Sequence, residues 1–477
     1  MIHIVDARTD RGVRRWAGIP YALPPVGDRR FRPPEPVLTF DPSADTSEFG
    51  PSAPQITEGP LLDAVPGMRV GAQDEERCLT LNVWSPQGAR ELPVMVWIHG
   101  GAFAIGGSSL ETYDATHLAA AGDVVVVSCN YRVGALGFLT LPGISNNGLR
   151  DQLAALQWVQ ANIATFGGDA ANVTVFGESA GAGSLLHVLS APSSRGLFRR
   201  AILQSPGAET VPRALGERLG EAFLVRAGVD ATGLTSLGVE QIIDAQEAAV
   251  QDLAGTLGSM PWQPVADGDL LPDDPRGALA AGAARDVDVV LGGTTGELGL
   301  FTGAMAALPA DTIALVLRQL VTPALGRDPG VEACQVLVEM YGKVVDGEPV
   351  DVYTAVLSDA AMVVPTARLL DEMARHGRVW NFAFDWSTPG FGPCHAADLP
   401  FTFGTLNRAG WGEFSGLDDD AWRLSDFMID AWTRFARTGD PGWPRWDATR
   451  QTMILGREQR VAEHPVVSRL QLHEELT

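Results

Sequence analysis

Lysine is nearly missing from this chain. Lys343 stands alone among 35 basic residues set against 58 acidic ones, a formal net charge of −23. A surface this negative repels phosphate backbones and anionic lipid, so neither nucleic acid nor a membrane is expected as a partner. Cysteine is scarce as well. Cys78, Cys129, Cys334 and Cys394 have no C-x-x-C or metal-ligand spacing, and a disulfide framework over 477 residues would need more of them. Free thiols and a reducing compartment are expected. No run of about 18 apolar residues occurs. The opening Met1-Ile2-His3-Ile4-Val5-Asp6 has neither a basic n-region nor an apolar h-region, which points to the cytoplasm. A Pro/Gly/Ser-rich linker, an internal repeat and a low-complexity tract are also absent. With 45% hydrophobic and 19% charged residues, the chain reads as one soluble, folded domain over 1–477.

Glycine is plentiful, 53 residues, so a Gly-x-Ser-x-Gly match carries weight only in context. The stretch Asn172-Val173-Thr174-Val175-Phe176-Gly177-Glu178-Ser179-Ala180-Gly181 supplies that context: a β-branched strand, a turn, and a small-residue helix start. A serine on such a turn has strained backbone geometry, and the positions two before and two after it have no room for a Cβ. Gly177 and Gly181 meet that demand. The following helix turns its free N–H groups toward the serine, favouring negative charge there.

Other segments set the frame. Residues 2–40 are extended and proline-rich, ending in Arg29-Arg30-Phe31-Arg32-Pro33-Pro34, and 41–77 read as loop. Residues 79–84 alternate like a strand. The runs 93–98 and 123–128 are apolar throughout, as strands of a parallel sheet covered on both faces should be. A helical stripe spans 149–166, and 174–176, 201–204, 287–291 and 379–384 are further buried strands. Alternating β and α elements predict an α/β fold with a mostly parallel sheet flanked by helices. Residues 209–260 and 302–375 read as helical insertions over the site, and 424–437 as an amphipathic helix stopped by Gly439-Asp440-Pro441-Gly442.

An activated serine needs a base, and the base needs an orienting group. On this kind of elbow the chain order is Ser, acid, His, so His376, His395, His464 and His473 are the candidates. His464 and His473 sit in a polar tail, and His376 reads as a helix end. His395 follows Gly390-Phe391-Gly392-Pro393-Cys394 in a loop just after a buried strand, where α/β sheets present functional side chains. For the acid, Glu297 lies past the strand 287–293, and Asp267 is the rival, in an Asp-Gly pair that suits a turn. Glu297 is favoured. His99-Gly100-Gly101-Ala102-Phe103, after the strand ending at Ile98, offers backbone N–H groups for an oxyanion, as does Ala180. His99 itself reads as structural.

Together the segments GIPYALPPVGDRRF, ERCLTLNVW, VMVWIHGGAF, NNGLRDQLAALQWVQANIATFGGDAANVTVFGESAGA, RAILQSPG and CHAADLPFTFG resemble the type-B carboxylesterases, relatives of bacterial para-nitrobenzyl esterases and cholinesterases. The resemblance covers about residues 12–456 and implies the α/β-hydrolase fold. It implies Ser179 as nucleophile, Glu297 as acid and His395 as base, with oxyanion donors at Gly101, Ala102 and Ala180. Gly100 would let the oxyanion loop turn, Ser205 would support the acid from behind, and Arg30 would pair with Glu76. Ala102 stands where relatives often carry a third glycine. Arg77 replaces an acidic residue, and no earlier cysteine exists to pair with Cys78.

The expected activity is hydrolysis of carboxylic esters through an acyl-enzyme, with no metal or organic cofactor and a small molecule as substrate. The rivals are a catalytically inactive interaction protein of the same fold and a lactone, amide or thioester hydrolase using the same triad. Residues 51–78 contain no aromatic side chain, although choline-hydrolysing relatives place a cation-binding tryptophan there. Glu178 and the net charge attract cations only at long range. On the acyl side, the resemblance matches 257–262 to the position where cholinesterases place bulky aromatics; Gly258 and the flexible Met260 would leave more room there, with Phe103 and Trp262 as further pocket candidates. Neutral esters with short-to-medium or aromatic groups are the expected substrates.

Overall fold

The computed structural model describes residues 8–207, 210–253, 260–305, 307–325 and 327–476. Thirteen strands are found among them: β1 (Arg8–Asp10), β2 (Val13–Pro20), β3 (Thr80–Pro86), β4 (Leu92–Ile98), β5 (Val125–Cys129), β6 (Gly168–Glu178), β7 (Arg200–Gln204), β8 (Val211–Pro212), β9 (Val265–Ala266), β10 (Asp288–Thr294), β11 (Val379–Phe384), β12 (Gln451–Leu455) and β13 (Arg460–Glu463). Eleven form one sheet in the order β1-β2-β3-β5-β4-β6-β7-β10-β11-β12-β13, and β8 pairs β9 separately. The pairings from β5-β4 through β11-β12 are parallel, and the two ends are antiparallel.

The apolar runs have the cause expected of them. Along β4, Val94, Val96 and Ile98 enter one core while Met95 and Trp97 enter the core on the opposite face. Successive side chains point to opposite faces, so a strand covered on both sides has no polar register to show. The helices Asn147–Asn162, Ala180–Ser190, Arg213–Ala227 and Val239–Asp252 contribute to the first core. Thr116–Gly122, Leu399–Phe403 and Asp419–Thr438 contribute to the second. β3 is buried along nearly its whole length instead of half-exposed, because both its faces are covered: Leu81 and Val83 enter the first core and Trp84 the second. Its Asn82 is satisfied inside, donating from Nδ2 to Ser108 Oγ and Ser128 Oγ, each at 3.0 Å.

The helical insertions form as Arg213–Ala227 and Val239–Asp252, and as Ala310–Leu325, Val331–Val344 and the run Pro349–Met373. The second group has its own core of Ile313, Leu317, Leu337, Val338, Val356 and Leu357. Pro349–Met373 is long and apolar enough to cross a bilayer, and its Val356, Leu357, Val364 and Leu370 are buried within the protein. Residues 41–77 are not all loop, since Pro60–Ala64 makes a helical turn with proline in its first position.

Two expectations need correction. The tail is not a polar extension: β12 and β13 complete the sheet, His464 is buried, and His473 Nε2 lies 2.7 Å from Tyr341 Oη. Arg30 also does not pair with Glu76. Its Nε and Nη2 donate to Glu75 Oε1 and Oε2 at 2.6 and 2.5 Å, and Nη1 donates to the Leu237 carbonyl at 2.5 Å. The Glu76 N–H is taken by Asp74 Oδ1, a tight local turn that leaves Glu76 outside and Glu75 inside. A buried bidentate pair is costly to break by halves. Arg30→Leu should lose about 3–5 kcal/mol of stability with turnover of the folded enzyme unchanged. Glu76→Gln should leave the thermal melt where it was. A melt that responds to Glu76 and not to Arg30 would reverse the assignment.

Candidate active site

β6 ends at Glu178, and Ser179 takes φ 55° and ψ −127° before the helix Ala180–Ser190 begins. This strained corner lifts the side chain clear of the sheet and leaves it half-buried. The flanking glycines are obligatory. A Cβ on Gly181 would come within 2.1 Å of the Ile98 carbonyl oxygen, and one on Gly177 within 2.8 Å of the Gly181 backbone. β4 therefore packs directly beneath the turn, and the loop after Ile98 is delivered next to Ser179.

Three side chains from distant parts of the chain meet here. Ser179 Oγ lies 2.8 Å from His395 Nε2, and His395 Nδ1 lies 2.7 Å from Glu297 Oε2. With Nδ1–H donating to the carboxylate, Nε2 is free to accept the serine proton. Glu297 follows β10 and is 1% exposed; its Oε1 accepts the Thr294 N–H at 2.8 Å. Its carbonyl accepts the His395 N–H at 3.1 Å, so the acid and the histidine loop are also joined through backbone. Asp267 is elsewhere. It accepts from Ser145, Asn146 and the N–H groups of Asp269 and Leu271, knotting a turn, and those bonds hold its carboxyl below the usual range although burial opposes them.

The loop 99–103 turns as its residue types suggested. Gly101 has φ 115°, and a Cβ there would fall 2.2 Å from the Ile105 carbonyl. Gly100 touches Ser179: a Cβ on it would lie 3.1 Å from that of the serine. Ala102 adopts φ 52° without glycine. Among the described residues none accepts the N–H of Gly101, Ala102 or Ala180, so these donors remain available. His99 is structural: it stacks on Tyr131 with centroids 4.3 Å apart, and burial pushes its pKa down to about 4.

Other expected site residues fare less evenly. Ser205 follows β7 and borders a small cavity with Gly293, Thr294 and Glu297, but its hydroxyl makes no direct bond to the acid. Met260 reaches Gly207, whose carbonyl neighbours Gly183 of the elbow helix. Phe103 lies against Gly183 and is fully buried, and Trp262 packs on Phe223 in the core. Both rings are buried, Phe103 beside the elbow helix and Trp262 beside Phe223 of the helix Arg213–Ala227. Gly258 lies outside the described residues.

Two acidic neighbours carry more than the sequence disclosed. Glu178, buried under the elbow, brings Oε1 to 3.2 Å from His395 Nε2, and burial pushes its pKa up to about 8. Asp398, in the same CHAAD segment as His395, accepts from Gln204 Nε2 at 2.6 Å; burial raises it to about 6. Burial alone would lower the His395 pKa. The charges of Glu178, Glu297 and Asp398, with the Glu297 hydrogen bond, outweigh burial and raise it to about 9. A base must be neutral to accept a proton, so the acid limb of kcat/KM should have its midpoint above about 6.5. Glu178→Gln removes one negative neighbour and should move that midpoint to lower pH. A pH profile unchanged by the substitution would mean that Glu178 does not act on His395.

The carboxylesterase family model matches residues 3–470 of this chain. Para-nitrobenzyl esterase of Bacillus subtilis (strain 168) is 34% identical over 480 residues, covering 97% of this chain and 95% of that protein. Phenmedipham hydrolase of Pseudarthrobacter oxydans is 34% identical over 468 residues, covering 93% and 91%. The solved structure of a thermophilic PNB esterase superposes with a TM-score of 0.86 at 33% identity, over 99% of this chain and 97% of that one. A match this continuous leaves no part of the sheet or of the elbow outside it, and the chain belongs to the carboxylesterase family, with the α/β-hydrolase fold and the activity of a carboxylesterase.

Proposed function

We propose that this carboxylesterase cleaves neutral esters with short-to-medium or aromatic groups, using Ser179 as nucleophile, His395 as general base and Glu297 as the group that orients it. The observation that carries this reading is the unbroken line of contacts, 2.7 Å from Glu297 to His395 and 2.8 Å from His395 to Ser179. Ser179 Oγ attacks the ester carbonyl as its proton passes to His395 Nε2. The oxyanion that forms is stabilised by the N–H groups of Gly101, Ala102 and Ala180. The imidazolium, stabilised by Glu297, then protonates the departing alkoxide and leaves an acyl-Ser179 ester. Water, deprotonated by the same histidine, attacks that ester, and collapse of the second oxyanion releases the acid and restores the serine.

Labelling tests the nucleophile directly: an organophosphate should modify one residue, Ser179, in step with loss of activity. Activity that survives full labelling of Ser179 would remove it as the nucleophile. For the substrate, the relative named for a para-nitrobenzyl ester supports an aromatic group. The aromatic-free stretch 51–78 argues against choline, since a desolvated cation–π contact is worth about 2 kcal/mol. Para-nitrophenyl acetate or butyrate should exceed butyrylcholine by at least about tenfold in kcat/KM. Equal turnover of butyrylcholine would mean that another group supplies a cation site.

A further inference from the structure

The carboxylate facing His395 is carried on a short loop after β10, and the anchors of that loop can be followed bond by bond. The Thr294 N–H goes to Glu297 Oε1, that of Thr295 to the Phe384 carbonyl, and that of Gly296 to the Pro393 carbonyl. These partners are the acid itself, β11 and the segment before His395. The N–H of Leu298, the residue after the acid, goes instead into the helical roof: it donates to Ser358 Oγ at 2.9 Å. Ser358 is fully buried and is the last residue of the helix Pro349–Ser358. A second tether joins the same helix to the same segment, Thr302 Oγ1 to Thr354 Oγ1 at 2.6 Å.

Immediately after Ser358 the helix widens into a π-helical turn, Asp359–Val363, before continuing as Val364–Met373. Such turns are rare and concentrate at functional sites. Here a buried charge holds the turn. Asp359 accepts from Tyr341 Oη and from Arg469 Nε, both at 2.6 Å, and from Arg469 Nη2 at 3.2 Å. The turn is thus tied to another roof helix and to the folded-back tail. The last two residues of the turn, Met362 and Val363, reach the cavity behind Glu297.

We propose that Ser358 is a positioning residue for the catalytic acid: held at the π turn by the Asp359, Tyr341 and Arg469 cluster, its hydroxyl fixes the Leu298 N–H and with it the loop that carries Glu297. The inference rests on the reading of Glu297 as the acid. Alanine at 358 would leave a part-buried backbone donor without its acceptor and release the loop at the residue next to the carboxylate. Small errors in the placement of a catalytic group are expensive in rate, so kcat should fall by roughly ten- to a hundredfold with KM little changed.

The test compares Ser358→Ala, Ser358→Thr, Glu297→Gln and the double variant Ser358→Ala/Glu297→Gln, each purified as folded protein by size exclusion. Ser358→Ala should lose kcat, Ser358→Thr should recover most of it, and the double variant should be no slower than Glu297→Gln alone. A wild-type kcat for Ser358→Ala, or a loss that multiplies in full on top of Glu297→Gln, would overturn the inference. If Ser358→Ala yields no folded protein, Ser358→Cys retains the shape with a weaker acceptor. It should show the same pattern to a smaller degree, and a wild-type kcat there overturns the inference equally. A Glu297→Gln enzyme with full activity would remove the acid assignment itself, which separates that failure from a failure of the Ser358 link.

Discussion

With Ser179 replaced by alanine, hydrolysis of para-nitrophenyl butyrate should fall by about 10³ or more in kcat while the protein melts close to the wild-type temperature. Alanine keeps the Cβ that already fits between Gly100 and the elbow helix, so the strained corner gains no new clash. What disappears is the oxygen 2.8 Å from His395 Nε2, and with it the acyl-enzyme route. KM should change little, because substrate binding does not need the nucleophile to be reactive. The residual rate would come from the oxyanion donors and from binding, which act without the serine. A loss smaller than tenfold, with the organophosphate label found on another residue, would remove Ser179 from the mechanism.

Glu297→Gln should cost about 10³–10⁴ in kcat for a subtler reason, since the substitution keeps the shape and removes only the charge. A glutamine amide can turn its NH₂ toward His395 Nδ1, which places the imidazole proton on Nε2. That nitrogen then points an N–H at Ser179 and cannot take its proton. The imidazolium formed during attack also loses its nearest counter-charge, the carboxylate oxygen at 2.7 Å. Asp267→Asn serves as the contrast, because Asp267 holds Ser145 and Asn146 in a turn away from the histidine. It should weaken stability and leave kcat of the folded enzyme intact. The opposite pattern, with kcat collapsing on Asp267→Asn and surviving Glu297→Gln, would exchange the two carboxylates.

Much of the site was legible because each of its parts has a local cause. A Gly-x-Ser-x-Gly turn after a β-branched run needs its glycines for contacts with β4, and those contacts are found at Ile98. His395 was legible as the histidine in a Gly/Pro loop after a strand, a loop that does follow β11. The ion pair of Arg30 was not. Two consecutive glutamates, Glu75 and Glu76, are equivalent as letters in a loop, and only the Asx turn at Asp74 decides which faces inward. The tail was misread for a related reason. Its charged residues sit on the exposed β13, while Met453, Ile454 and Leu455 of β12 are buried where that strand pairs with β11, some 70 residues earlier.

The sequence by itself determined the central strands and helices of the α/β frame, β12 and β13 excepted, and the residue types at the elbow, the oxyanion loop and the histidine loop. These depend on periodicity and on steric limits at a single turn, which neighbouring residues specify. Only the tertiary structure decided that Glu75 and not Glu76 meets Arg30, how close Glu178 stands to His395, and where the Leu298 N–H finds Ser358. Those contacts join residues far apart in the sequence. They are set by how the sheet orders its strands and how the roof packs, and a buried charge takes its pKa from whatever that packing brings beside it.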